Sequence, residues 1–360
     1  MSRTDETSEG SLTDDISIGV LAKMFPEAMV DAAIDQAGAR ETRARVLPAK
    51  LMVYLSMALW LEPRMGYERT LHRLLRGLRW ARPGWSGYRV PTDGAISLAR
   101  YRLGEAPLRN LFDQTAGRVA TGWPEDPCAL WRGLRLVALE ETAFDLPPTA
   151  TGPAPGRSAR PGAPRSRAGL AVLAESGTLG LLGAALETPD DATHPSLPVR
   201  PLAERLYGRL SPGMLLTAGR PLATPTPFLA AAATGAQLLW RADPALALPV
   251  LGPLPGGGHR SELSGPGGTV PVRVLQTGPD VLVSTLLDPL TAPADELVRC
   301  FRERWTMDAL FAVVGSDPRH PGVPLRSRSP EGVRQEFWAL LCLYQALRTL
   351  TTDHSRRVCA

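Results

Sequence analysis

Residues 133–142 read GLRLVALEET. The run Leu134–Leu139 is apolar apart from Arg135 and has the length of a strand. It passes directly into two carboxylates, Glu140 and Glu141, with Asp145 close behind. On either side of this strand the chain changes character, with the switch at Thr121–Pro127. Downstream, strands are expected at 168–174, 178–186, 214–218 and 236–242, with helices at 199–210 and 228–234 between them. The resulting order, β-β-β-α-β-α-β, specifies a mixed sheet flanked by helices. Residues 246–288 lose helical character. They hold Gly256, Gly257 and Gly258 and two strand-like runs, 270–275 and 281–286, which predicts a small β insertion. Helices over 295–314 and 331–350 follow.

Upstream, the pattern from Ile16 to about Val119 is helical. Pro26 suits a first helical position and Gly38 a stop. Lys50–Trp60 is almost all apolar, as in a buried central helix. In Tyr67–Arg79, Leu71, Leu74, Leu75 and Leu78 share one face, and Arg69, Arg73 and Arg76 another. Thr92 caps a helix to Leu103, and a further helix spans Glu105–Ala120.

The chain has 360 residues, enough for two or three domains, with 44% hydrophobic and 21% charged residues. That composition excludes a wholly disordered chain. Lysine occurs only at Lys23 and Lys50, so arginine supplies nearly all the cations. Arginine suits phosphate recognition, although coding bias gives the same excess. Net charge is +4, but residues 69–109 alone carry nine arginines against Asp93 and Glu105. A basic helical region joined to a neutral remainder points to nucleic acid.

Cys128, Cys300, Cys342 and Cys359 form no CxxC pair, which excludes a zinc or disulfide framework, and the five histidines are scattered. The polar, acidic start of the sequence is unlike a signal peptide. Leu51–Leu61 is too short to span a bilayer, so a cytoplasmic, nucleoid-associated protein is expected.

Two loops rich in arginine stand out. Residues 147–167 carry Arg157, Arg160, Arg165 and Arg167, and residues 319–330 carry Arg326 and Arg328. The helix ending at Leu103 is the best DNA-reading candidate, with Ser97, Arg100 and Tyr101 projecting from one side and Arg102 beside them. The competing reading is an ordinary amphipathic helix with Ile96, Leu98 and Leu103 inward. The expected DNA contacts are Arg69, Arg73, Arg76, Arg100, Arg102, Arg326 and Arg328.

Several segments together resemble one family: SLTDDISIG (11–19), VPTDGAISLARYRLG (90–104), GLRLVAL (133–139), PGMLLTA (212–218), ATGAQLLWR (233–241), ERW (303–305) and LRSRSPEGVRQEFWALL (325–341). They are similar to the cut-and-paste DDE transposases of the insertion sequence four group, over residues 11–350. The resemblance implies a helical DNA-binding domain followed by an RNase H-like α/β domain with a β insertion, an α+β multidomain chain. It also implies three carboxylates converging on divalent metal ions, Mg²⁺ in an active member, that drive in-line phosphoryl transfer.

The matching positions are altered. Where the family has a first Asp, this chain has Glu140, followed by Glu141 and Thr142. The second Asp is replaced by Gly219, between Ala218 and Arg220. The late helix pattern Tyr-x-x-Arg-x-x-x-Glu-x-x-x-x-x-x-Lys reads Phe301, Arg304, Asp308 and Gly315, and a customary Lys after the fifth strand is Asp243. Glu140, Arg304 and Asp308 are therefore the degenerate catalytic positions, with Glu140 and Asp308 the remaining metal ligands. Arg304 and Asp308, at i and i+4, also have the spacing of a helix salt bridge.

The expected division is a disordered tail (1–14), a DNA-binding domain (15–125), a catalytic-type core (126–245), the β insertion (246–290) and a closing segment (291–360). The expected function is a transposase-family protein that binds duplex DNA, as a homodimer or alone, and whose cutting chemistry is lost or impaired. The alternative is an active metal-dependent transposase in which Glu141 or Asp145 substitutes for the missing carboxylate.

Overall fold

The computed structural model describes residues 19–78, 91–117, 119–120, 129–146, 167–188, 202–314, 325–327 and 329–359. The expected tail at 1–14, the arginines of 157–165, Gly315 and Arg328 lie outside these residues. The described chain is α+β and divides into two compact units.

The helical unit contains residues 19–115 and 310–347. Its helices are α1 (Glu27–Gln36), α2 (Ala49–Leu61), α3 (Tyr67–Leu78), α4 (Asp93–Leu103), α5 (Ala106–Thr115) and most of α9 (Pro330–Cys359). Every residue of α2 except Lys50 and Leu61 is buried, as its unbroken apolar sequence requires. Lys50 escapes by pairing with Asp31 (2.6 Å) and Glu27 (3.3 Å) on α1. Leu71, Leu74, Leu75 and Leu78 form the buried stripe of α3. The Thr92 hydroxyl accepts from Ala95 N at the start of α4 (3.4 Å), the expected cap. Helix α5 stops at Thr115, short of the expected Ala120.

The expected closing segment, 291–360, is divided between the two units. Its helix α9 belongs to the helical unit through Leu347. Phe337, Trp338, Leu341 and Tyr344 are buried, Trp338 packs on Phe112 (centroids 5.5 Å apart), and Trp60 donates to Glu336 O (2.8 Å). An almost wholly apolar α2 must be covered on all sides, and α9 is among the helices of the unit that buries it.

The sheet unit contains residues 116–144 and 167–309. Its strands are β1 (Leu130–Trp131), β2 (Leu134–Asp145), β3 (Arg167–Glu175), β4 (Leu181–Glu187), β5 (Met214–Leu222), β6 (Gln237–Ala242), β7 (Gly252–Pro253), β8 (His259–Gly265), β9 (Gly268–Thr277) and β10 (Asp280–Ser284). They form one sheet ordered β4-β3-β2-β5-β6-β10-β9-β8-β7, with β1 paired to β2. Strands β2, β5 and β6 are parallel, and the pairs β3–β4 and β6 through β7 are antiparallel. The expected β insertion thus extends the main sheet, because β10 pairs directly with β6.

Alternate residues face opposite ways along a strand. Val137, Leu139, Leu216, Ala218, Leu238 and Trp240 pack under a 3₁₀ helix (Leu202–Arg209) and α6 (Pro225–Ala232). Leu136, Leu215 and Leu239 pack instead with Leu297 and Phe301 of α7 (Ala294–Arg302).

Two buried ions fix this unit. Glu175 is fully buried, accepts from Val119 N (3.0 Å), Ala120 N (2.8 Å) and Thr178 Oγ1 (2.7 Å), and pairs with Arg135. Arg273, also fully buried, donates to Ala292 O (2.6 Å) and Gly257 O (3.2 Å). The turn that receives it has positive φ at Gly256, Gly257 and Gly258 (75°, 97° and 84°), which only glycine adopts without strain.

The single helix expected over 295–314 is instead two, α7 and α8 (Met307–Val314). Trp305, buried at the break, donates its amide to Ser176 Oγ (3.3 Å). Burying that indole outranks the helical propensity of the flanking residues.

Candidate functional site

The register Leu139↔Ala218 between β2 and β5, and Ala218↔Trp240 between β5 and β6, places Glu140, Gly219 and Arg241 in a row. They sit towards the C-terminal ends of three parallel strands, on the α7 face. This is where open α/β sheets gather functional groups.

Arg304 reaches this row from the break between α7 and α8. Its Nε donates to Glu140 Oε1 (3.2 Å), and one terminal nitrogen donates to Phe301 O (2.8 Å). Its guanidinium carbon lies 4.2 Å from the centre of the Phe301 ring. Both partners of the ion pair are only 18% exposed. The expected Arg304–Asp308 helix pair is therefore corrected: the helix break separates the two, and Arg304 turns to Glu140.

Gly219 makes that contact possible. A Cβ there would lie 2.6 Å from Glu140 Oε1 and 3.1 Å from Arg304 Cζ, closer than side-chain carbons approach such atoms. The guanidinium occupies the space that a side chain at residue 219 would enter.

Burial pushes the Glu140 carboxyl above its ordinary value, against the opposing pull of Arg304 and Arg241. Asp308, exposed in the first turn of α8, adds to the upward shift. Glu140 and Asp308 are thus within electrostatic reach of each other. Glu141 alternates to the other face, where its charge acts on Tyr207, a member of the opposite core. The Asp145 side chain lies outside the described residues.

Because its folded-state value is raised, Glu140 binds its proton at higher pH in the native state than in the unfolded chain. Its contribution to stability is full below the unfolded value, near 4.5, and declines as pH rises through the folded value. Thermal midpoints taken upward from about pH 4 should show a decline that Glu140→Gln removes. Parallel curves for the two proteins would disprove it.

The residues present do not fit a divalent metal. Glu140 is engaged by a guanidinium, Gly219 offers no ligand, and among the described residues no group of three His, Cys, Asp or Glu is placed to hold one.

The expected DNA contacts separate into three kinds. Arg69 and Arg76 are exposed on α3, and with Met65, Glu68, His72 and Arg73 they line a shallow groove of about 450 Å³. Arg73 is half-buried and pairs with Glu62 (2.6 Å). Arg102 is exposed but donates to Leu47 O (2.9 Å).

Arg100 and Arg326 are corrections. Arg100 is 4% exposed and donates to Tyr67 Oη (2.6 Å), Gln335 Oε1 (3.1 Å) and Glu336 Oε1 (3.2 Å). It continues the buried stripe Ile96, Ala99, Leu103 at helical spacing, a signal legible in the sequence. Arg326 donates to Met65 O, Leu59 O, Glu62 O and Pro63 O, capping the C-terminus of α2. Sequence reasoning also missed His72 beside these arginines, although it falls three residues after Arg69 and four before Arg76.

Residues 15–113 match the family described as insertion element 4 transposase N-terminal. The chain is 22% identical over 339 residues to the transposase InsG for insertion sequence element IS4 of Escherichia coli (strain K12). The alignment covers 89% of this chain and 73% of that protein. The chain is thus similar to IS4 transposases, through its N-terminal segment and along most of its length. Among solved structures, the chain aligns with the piggyBac transposase synaptic complex with hairpin DNA at TM-score 0.41. Identity there is 12%, covering 99% of this chain and 70% of that one. It aligns with endonuclease V from Streptomyces avermitilis at TM-score 0.22 and 14% identity, covering 67% and 91% respectively. No helix among the described residues is long and apolar enough to cross a membrane.

Proposed function

We propose that this chain is a transposase of the IS4 type that binds duplex DNA through its helical unit and does not cut or join strands. The observation that carries the reading is the Arg304–Glu140 pair closed over Gly219. Transposase chemistry of the DDE type needs metal-bound oxygens at both the attacking and the leaving atom. Here the Arg304 guanidinium holds the half-buried Glu140 carboxylate, and Gly219 offers no second ligand. The strand order β4-β3-β2-β5-β6, with β2, β5 and β6 parallel, supports an RNase H-like reading of the sheet, retained as a scaffold. The opposite orientation of Glu141 argues against its serving as the replacement ligand.

DNA affinity should fall linearly with salt on logarithmic axes. Arg69→Ala and Arg76→Ala should each lower that slope by about one if each side chain meets a phosphate. A nicking assay on DNA carrying the ends of a related element, with Mg²⁺ or Mn²⁺, should show no cleavage. Metal-dependent cleavage that disappears with Glu140→Ala would overturn the inactive reading, and an affinity indifferent to salt would overturn the DNA-binding one.

A further inference from the structure

Among the described residues, β4 is the last strand at one side of the sheet, and its sequence is LLGAALE. Backbone groups alternate in direction along a strand, so a terminal strand turns every second N–H and C=O away from its one neighbour. In β4 those residues are Leu182, Ala184 and Leu186, because side chains from outside the strand pair reach two of their carbonyls. Arg209 donates to Leu182 O (3.2 Å) and Arg205 to Leu186 O (3.5 Å). Residues 181–186 carry no charge of their own. A seven-residue apolar strand with its outward groups bare would pair readily with another strand.

The two guanidiniums are held in place. Both come from the 3₁₀ helix Leu202–Arg209, which Leu202 and Leu206 anchor in the core beneath it. Arg205 is fixed by Glu187 Oε2 (2.7 Å), at the end of the strand it covers. Arg209 passes beside Gly183 on its way to Leu182 O. A Cβ at residue 183 would stand 3.4 Å from Arg209 Nε and 3.7 Å from its Cγ, so a longer side chain would push the arginine off this path.

We propose that Arg205 and Arg209 form a gate on β4, and that the partner they keep out is β4 of a second copy of this chain. The strand is self-complementary. Ala184 lies midway between Leu182 and Leu186, so two copies running antiparallel about Ala184 set Leu182 of each opposite Leu186 of the other. The same alignment brings Arg209 of one copy towards Arg205 of the other, because each arginine sits over one of those leucines. The gate therefore acts twice. It occupies the carbonyls that the pairing needs, and it meets its own image as like charge.

The test uses the full chain, with hydrogen exchange and sedimentation as readouts. In the unaltered protein the Ala184 amide should exchange about tenfold or more faster than that of Ala185, which points to β3. Arg205→Ala combined with Arg209→Ala should about double the sedimenting mass relative to the unaltered protein as concentration rises, and should slow exchange at Ala184. Arg205→Lys with Arg209→Lys keeps both charges and should keep the unaltered mass. Adding Ala184→Pro to the double alanine variant removes the outward N–H, at a position where a terminal strand tolerates proline, and should restore that mass. Equal protection of Ala184 and Ala185 in the unaltered chain would overturn the proposal, and that measurement needs no variant to fold. So would a double alanine variant that is folded by circular dichroism but gains no mass, or an association that survives Ala184→Pro.

Discussion

Gly219→Asp combined with Arg304→Ala is expected to create a divalent-cation site at the ends of β2 and β5. The pair restores a carboxylate beside Glu140 and withdraws the guanidinium that blocks it, while Asp308 already acts on Glu140 from α8. Oxygen ligands brought together in this way suit Mn²⁺ or Mg²⁺. Calorimetric titration should detect binding. At a hundredfold excess over Kd, Mn²⁺ should stabilise the double variant by about 2.7 kcal/mol. Gly219→Asp alone should show neither effect, because the new carboxylate would pair with Arg304 rather than with a metal. If the single variant binds Mn²⁺ as well as the double, Arg304 is not what excludes the ion.

Glu336→Ala should cost about 3–5 kcal/mol, because it strands a buried cation. Glu336 is 5% exposed and receives Arg100 (3.2 Å), Arg326 N (3.0 Å), Ser327 N (2.8 Å) and Ser327 Oγ (2.6 Å). A loss of that size is a large part of the roughly 5–15 kcal/mol that holds a domain together. Urea unfolding followed at Trp60, whose indole donates to the backbone of residue 336, should move to a much lower midpoint. Glu336→Gln keeps an acceptor and should lose less. A midpoint unchanged in Glu336→Ala would show that solvent reaches Arg100 and that the ion pair is not what seals the unit.

The elements whose pattern is local were readable from the sequence. The apolar run of α2, the leucine stripe of α3, the Thr92 cap and the strands at 134–139 and 214–218 all formed, because periodicity and capping act over one or two turns. What escaped depends on distant partners. Arg100 looks like a surface cation until Glu336, more than 200 residues away, receives it, and so does Arg326 until the carbonyls at the end of α2, also more than 200 residues away, receive its guanidinium. The break at Trp305 needs Ser176, and β10 needs β6. At the site, a glycine following Ala218 at a strand end was legible. The consequence was not, since only the fold brings Arg304 over that glycine.

Where the sheet ends also bears on how safely the chain can be handled. Without residues 252–284, β6 would present Leu238, Leu239 and Trp240 on an open edge, a template for pairing with another molecule. Growth of the sheet through β10, β9 and β8 moves that edge out to β7, which is two residues long and contains Pro253, a residue with no amide hydrogen to offer. The insertion thus blunts the sheet against aggregation, and shortened versions of this protein will need a replacement for that blunt end before they stay in solution.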